Sequence, residues 1–174
     1  LQYVKGLSPL DAGQIILVQA LSMAIMAPMS GKLADRFQSR LVATLGCVIV
    51  ACGMLILSLM NTETSITFIV GSLLLIGVGF GLFSTPNNNA IMGAVQLHEV
   101  GVASATMNLA RTIGNLFGMS LVNLMVHYYL GDAQFTQEQN PALIQTVEMA
   151  LNMSLTFVVI ACGISVLRGR SRID

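Results

Sequence analysis

The residue with the most chemistry to account for is an arginine inside an apolar run. Arg111 stands about ten residues into the stretch 102–130, roughly 15 Å along a helix and near mid-bilayer if that helix crosses a membrane. A guanidinium at that depth needs a partner. At about 100° per residue, Ser104, Asn108, Arg111, Asn115 and Gly118 fall on one stripe, which directs the charge into a helix bundle or an aqueous cavity and excludes lipid exposure on cost. Two roles stay open: a clamp onto carbonyls or an acid, and the handling of a substrate or coupling ion. Glu148 is the other ionisable residue deep enough to matter, about 10 Å from the helix start at Pro141. It is either a proton-titrating carboxylate or an outer-end residue reaching interfacial water. Either it or an acid outside this chain could answer Arg111, across an axial offset of several ångströms.

Three further groups of residues have physical content. The segment Gly31-Lys-Leu-Ala-Asp35-Arg36-Phe-Gln38-Ser39-Arg40 puts opposite charges side by side between two apolar runs, as a gate or as a basic anchor in which Asp35 caps a helix. Pro86 leaves a carbonyl one turn earlier without its amide, and Asn87, Asn88 and Asn89 offer donors close by; a static kink and a flexible gate are both open. Gly77 and Gly81, and again Gly114 and Gly118, are four apart, so each pair makes a smooth groove for another helix backbone.

Other chemistry is not expected. No Ser-His-Asp, Cys-His, paired-carboxylate, phosphate-loop or dinucleotide constellation occurs, so the sequence offers an enzyme no starting point. His98 and His127 have no ligand set at metal-binding spacing. Cys47, Cys52 and Cys162 lie inside apolar runs as small hydrophobes, and the eleven Met residues are scattered through the runs as adaptable packing that would also suit a polyspecific cavity. A net charge of zero, with no basic face interleaved with aromatics, argues against nucleic acid as a partner.

The elements that position these residues are membrane spans. Hydrophobic residues make up 55% of 174 positions and charged residues 9%, with a mean hydropathy of +0.78, far from a soluble domain. The apolar runs have the length of about 18 or more residues that a bilayer demands. The expected fold class is therefore all-α and polytopic, with five transmembrane helices at about 12–29, 41–60, 66–95, 102–130 and 141–167 and a lipid bilayer as solvent. Ser8-Pro9 and Asn140-Pro141 are cap-plus-proline helix starts. Spans two and three, joined by the short turn 61–65, are expected as antiparallel neighbours.

Lys32, Arg36, Arg40, Arg168, Arg170 and Arg172 fall on one side against Lys5 on the other, so the loop 31–40 and the tail are expected in the cytoplasm. The opening Leu1-Gln2-Tyr3, without initiator Met, basic n-region or cleavage site, is expected to continue from something longer and to hold no signal peptide.

The charged loop resembles the glycine, aspartate and arginine loop signature of the major facilitator superfamily, with Gln38 and Ser39 where that signature has a second Gly and a further basic residue. The segments Gly77-Val-Gly79-Phe-Gly81-Leu-Phe-Ser-Thr-Pro86-Asn87-Asn88-Asn89 and Gly101-Val-Ala-Ser-Ala-Thr-Met-Asn108-Leu-Ala-Arg111-Thr-Ile-Gly114-Asn-Leu-Phe-Gly118 look like the fourteen-span drug:proton antiporters of that superfamily. Ser8-Pro9-Leu10 with Ala12-Gly13 looks like an early helix of their C-terminal half, so the resemblance covers nearly the whole chain.

It implies a C-terminal transmembrane bundle fragment over residues 1–174, part of a transporter exporting small amphipathic compounds. The proton would be the coupling ion, with no other cofactor. The absent N-terminal helical bundle would be its partner, and the gate would be formed at Gly31, Asp35, Arg36 and Arg40. The alternatives are a transporter of another solute, such as a siderophore or amino acid, on the same scaffold, and a truncated membrane module that does not transport.

Substituted-cysteine labelling in intact cells tests the orientation. Gln38→Cys should react only with reagent delivered from the cytoplasm and Gln134→Cys with reagent added outside; the reverse pattern overturns it.

Overall fold

The computed structural model describes residues 7–59, 64–130 and 140–167. Five helices in it are long and apolar enough to cross a membrane, and no strand occurs among the described residues. They are α1 (Pro9–Arg36), α2 (Ser39–Ser58), α3 (Ile66–Gly93), α4 (Val100–Leu130) and α5 (Asn140–Leu167), with one 3₁₀ turn at Leu97–Glu99 before α4. Lys5, most of the turn 61–65, the loop 131–139 and the basic tail lie outside the described residues.

The start of α1 follows from its first residues. Ser8 is extended (φ −62°, ψ 154°), its Oγ accepts from the Asp11 amide at 3.2 Å, and Pro9 occupies the first turn, where no amide is missed. The end lies further on than the apolar pattern places it. Lys32, Leu33, Ala34, Asp35 and Arg36 continue the helix, because none of them breaks it and Arg36 complements the negative end of the helix dipole. The break is confined to Phe37, which is extended, and Gln38, which is also non-helical (φ −59°, ψ 124°), with the Phe37 amide closing on the Leu33 carbonyl at 2.8 Å. The charged segment is thus mostly the last two turns of a helix instead of a loop. Asp35 caps nothing; the N-cap of α2 is Gln38, whose side chain makes no capping bond.

α3 is the centre of the packing. It lies against both α1 and α2, which scarcely touch each other although only two residues join them. Glycines set the distances. A methyl on Gly77 would strike the Gln19 carbonyl of α1, and one on Gly81 would lie 2.7 Å from the Met26 Cβ. On the other flank, a methyl on Gly79 would lie 2.7 Å from the Val50 amide nitrogen, and one on Gly46 2.6 Å from the Phe83 amide nitrogen. Backbone meets backbone along both seams. Ile69, Ile76 and Leu82 of α3, with Val42, Cys47 and Val50 of α2, form the buried apolar core.

α5 packs on the far side of α2, where Thr44 Oγ1 lies 3.3 Å from Ser165 Oγ. α4 rests on α5 and meets α3 only at its margin, so most of its residues are exposed.

Gly79→Ala and Gly46→Ala should each destabilise the full-length protein by roughly 1–3 kcal/mol through overpacking, read as a lower melting midpoint in detergent. Gly31→Ala should stay within about 0.5 kcal/mol, since its methyl would meet only the Thr85 methyl at 3.9 Å. Equal midpoints for all three would contradict the seams.

Candidate functional site

The residues singled out from the sequence occupy three places. The first is the end of the bundle where α1 gives way to α2. Lys32, Asp35 and Arg36 are exposed there, on the last turns of α1, and Arg40 is half-buried at the start of α2. Gly31 faces Thr85 of α3 at an ordinary contact distance, so in this arrangement it is not the residue that sets the helix separation; Gly77 and Gly81 do that.

The second place is the proline in α3, at the same end of the bundle. Pro86 is fully buried and the helix runs through it to Gly93. Proline has no amide to give the carbonyl four residues earlier, that of Leu82. Ser30 of α1 supplies the donor: its side chain has no exposed surface, and its Oγ donates to the Leu82 carbonyl at 3.1 Å. Thr85 Oγ1 returns a bond of 3.4 Å to the Ala27 carbonyl of α1. The asparagines after Pro86 were the donors expected from sequence. The donor that reaches Leu82 comes instead from another helix, 52 residues away. Ser30 carries no sequence signal beyond its position beside Gly31.

The third place is the stripe on α4. Ser104 is half-buried, and Asn108, Arg111, Asn115 and Gly118 are exposed. No ion pair engages Arg111 among the described residues, so its need for a partner at membrane depth is not met within this part of the bundle. Gly114 and Gly118 have open space where a Cβ would stand, unlike the glycines of α3. Together with Phe117, Met153 and Phe157 they line an apolar cavity of about 260 Å³ between α4 and α5. Its lining hydroxyl, Ser154, is already bonded to the Ala150 carbonyl at 2.8 Å.

Glu148 does not join this group. By helical periodicity it lies nearly opposite Ala150, Met153 and Phe157, on the stripe of α5 that carries Cys162, whose thiol lies beside Cys47 of α2. It is half-buried, and no ion pair links it to Arg111 among the described residues. No group of three or more His, Cys, Asp or Glu able to hold a metal ion occurs among the described residues.

Comparison with known proteins adds the following. The family model described as Major Facilitator Superfamily matches residues 1–119. The chain is 34% identical over 129 residues to the "Uncharacterized transporter YebQ" of Escherichia coli, covering 74% of this chain and 28% of that protein. It is 30% identical over 152 residues to the "Multidrug efflux pump LfrA" of Mycolicibacterium smegmatis, covering 84% of this chain and 30% of that protein. It is 27% identical over 121 residues to the "Riboflavin transporter RibZ" of Clostridioides difficile, covering 67% of this chain and 26% of that protein. The chain therefore spans under a third of the length of these relatives.

Proposed function

The chain belongs to the Major Facilitator Superfamily, and on that premise we propose that it forms most of the C-terminal bundle of a proton-coupled secondary transporter exporting drugs or other amphipathic compounds. The family and the transporter names among its relatives indicate a transporter rather than an enzyme. The observation that carries the reading is the intramembrane Arg111 stripe, uncovered in these five helices and flanking an apolar cavity. A guanidinium at that depth is costly unless it is paired or lines a pathway for polar or charged solutes, and no ion pair engages it among the described residues, which favours the pathway.

In this reading the protein is a multi-pass protein of the cell membrane, with the end bearing Lys32, Arg36 and Arg40 in the cytoplasm. The rest of the protein, an N-terminal helical bundle, completes the substrate cavity and supplies the partner of Arg111. The proton is the coupling ion and no other cofactor takes part. The apolar lining from Phe117, Met153 and Phe157 suits amphipathic compounds, because Met and aromatic side chains accommodate many shapes. A single dedicated solute on the same scaffold is the second reading, favoured by the similarity to a riboflavin transporter.

The full-length protein in an efflux-deficient host should raise resistance to several amphipathic compounds in a growth-inhibition panel, and a protonophore should abolish their efflux. Arg111→Ala should lower the initial transport rate roughly tenfold or more at unchanged membrane abundance. Resistance that persists in that variant removes Arg111 from the pathway; a panel without any protected compound overturns drug export.

A further inference from the structure

α3 changes character at Pro86. Its eight buried residues, Ile69, Ser72, Ile76, Gly77, Gly79, Gly81, Leu82 and Pro86, all lie at or before the proline. None of residues 87–93 is buried, and Gly93 has open space around it. The helix is clamped between α1 and α2 as far as Pro86, and in its last two turns Asn87, Asn88, Ile91 and Met92 are only half-buried while Asn89, Ala90 and Gly93 are exposed.

In an ordinary helix, bending at such a boundary breaks the bonds from the distal amides back to the carbonyls of the clamped part. In hydrocarbon each of those broken bonds is costly. The bonds from the Asn87, Asn88 and Asn89 amides to the Phe83, Ser84 and Thr85 carbonyls still cross the joint, but the one to Leu82 is already replaced from elsewhere. Leu82 takes its hydrogen from Ser30, a residue of the clamped body, so the distal segment can move without leaving that carbonyl unmatched. Thr85, the last residue before the proline, is tied to the same helix by its bond to Ala27. Two hydroxyl-to-carbonyl bonds thus fix the near side of the joint to α1, directly beside the charged turns that hold Lys32, Asp35 and Arg36.

We infer that Ser30 is the positioning residue of a hinge at Pro86, holding the body of α3 to α1 while residues 87–93 swing at the end of the bundle that carries the charged segment. Ser30 acts through the Leu82 carbonyl and need not touch a transported compound. The purpose of the swing, opening and closing a pathway, rests on the transport reading; the hinge itself does not.

The hinge is tested on the full-length protein in lipid, with its native cysteines replaced. Spin labels at the exposed positions Leu33 and Asn89 report the distance between α1 and the swinging segment. The expected distance distribution is broad with Pro86 present and collapses to one narrow population in Pro86→Ala, which restores the amide. Ser30→Ala should lower the melting midpoint in the parent protein and have no such effect in the Pro86→Ala background, where Leu82 has its own donor.

Transport separates the hinge from mere structure: Pro86→Ala should cut the maximal rate about fivefold or more while leaving the half-saturating concentration unchanged. A narrow distribution in the parent protein, or an equal loss from Ser30→Ala in both backgrounds, overturns the hinge. If Pro86→Ala does not fold, Pro86→Gly restores the amide in its place, and an equal loss from Ser30→Ala in that background overturns the hinge. Should the distances and midpoints follow expectation while no compound is transported, the hinge stands and the transport reading falls.

Discussion

A backbone carbonyl in hydrocarbon has no water to turn to, and much of this structure is arranged around that fact. Helices meet the demand almost everywhere from within. Pro86 is the place where α3 cannot, and the answer comes sideways from Ser30. That exchange requires α1 to lie close enough for a short hydroxyl to reach, which Gly77 and Gly81 permit by removing side chains from the seam. The proline, the glycines and the serine therefore form one device. Without the glycines, the serine could not reach; without the serine, the proline would leave a buried polar atom unmatched.

Two parts of the chain are built to different standards. The trio α1, α2 and α3 is closely packed, backbone against backbone on two seams. α4 and α5 lean together around an apolar cavity, and the glycines of α4 face open space. The difference matches the placement of charge. The trio keeps its charged groups at the two ends of its helices, Asp11 at one and Lys32, Asp35, Arg36 and Arg40 at the other, whereas α4 carries Arg111 at mid-depth.

Much of the fold was legible from sequence because periodicity and run length act locally. Ser8-Pro9 announced the start of α1, and the apolar runs announced five helices. The end of α1 was misplaced because charge reads as loop, although Lys, Ala and Arg are good helix formers and only Phe37 and Gln38 depart from helix. The stripe of Arg111 was visible for the same local reason, since residues three and four apart share a face.

Beyond the pairing of α2 with α3, which their short turn announced, what could not be read was which helix meets which. Gly46, Gly53 and Gly79 pack tightly, while Gly114 and Gly118, with the same four-residue spacing as Gly77 and Gly81, do not. Spacing shows that a face is smooth but not what lies against it. Ser30 was missed likewise, for its partner is remote in the chain. The possible link of Arg111 to Glu148 turned on the rotation of α5, which loop length does not fix.

The two-residue link between α1 and α2 has a consequence for how the protein is made. Helices joined so tightly would ordinarily close on each other as a hairpin while the ribosome is still at work. Here the space between them belongs to α3, which is synthesised after both. Until it is made, α1 and α2 lack the helix that their main contacts are built against, and the smooth faces at Gly46 and Gly53 lack the backbone that fills them in the finished fold. The interval before its arrival is the stage of biogenesis at which a neighbouring membrane protein, or an insertion chaperone, has most to offer this chain.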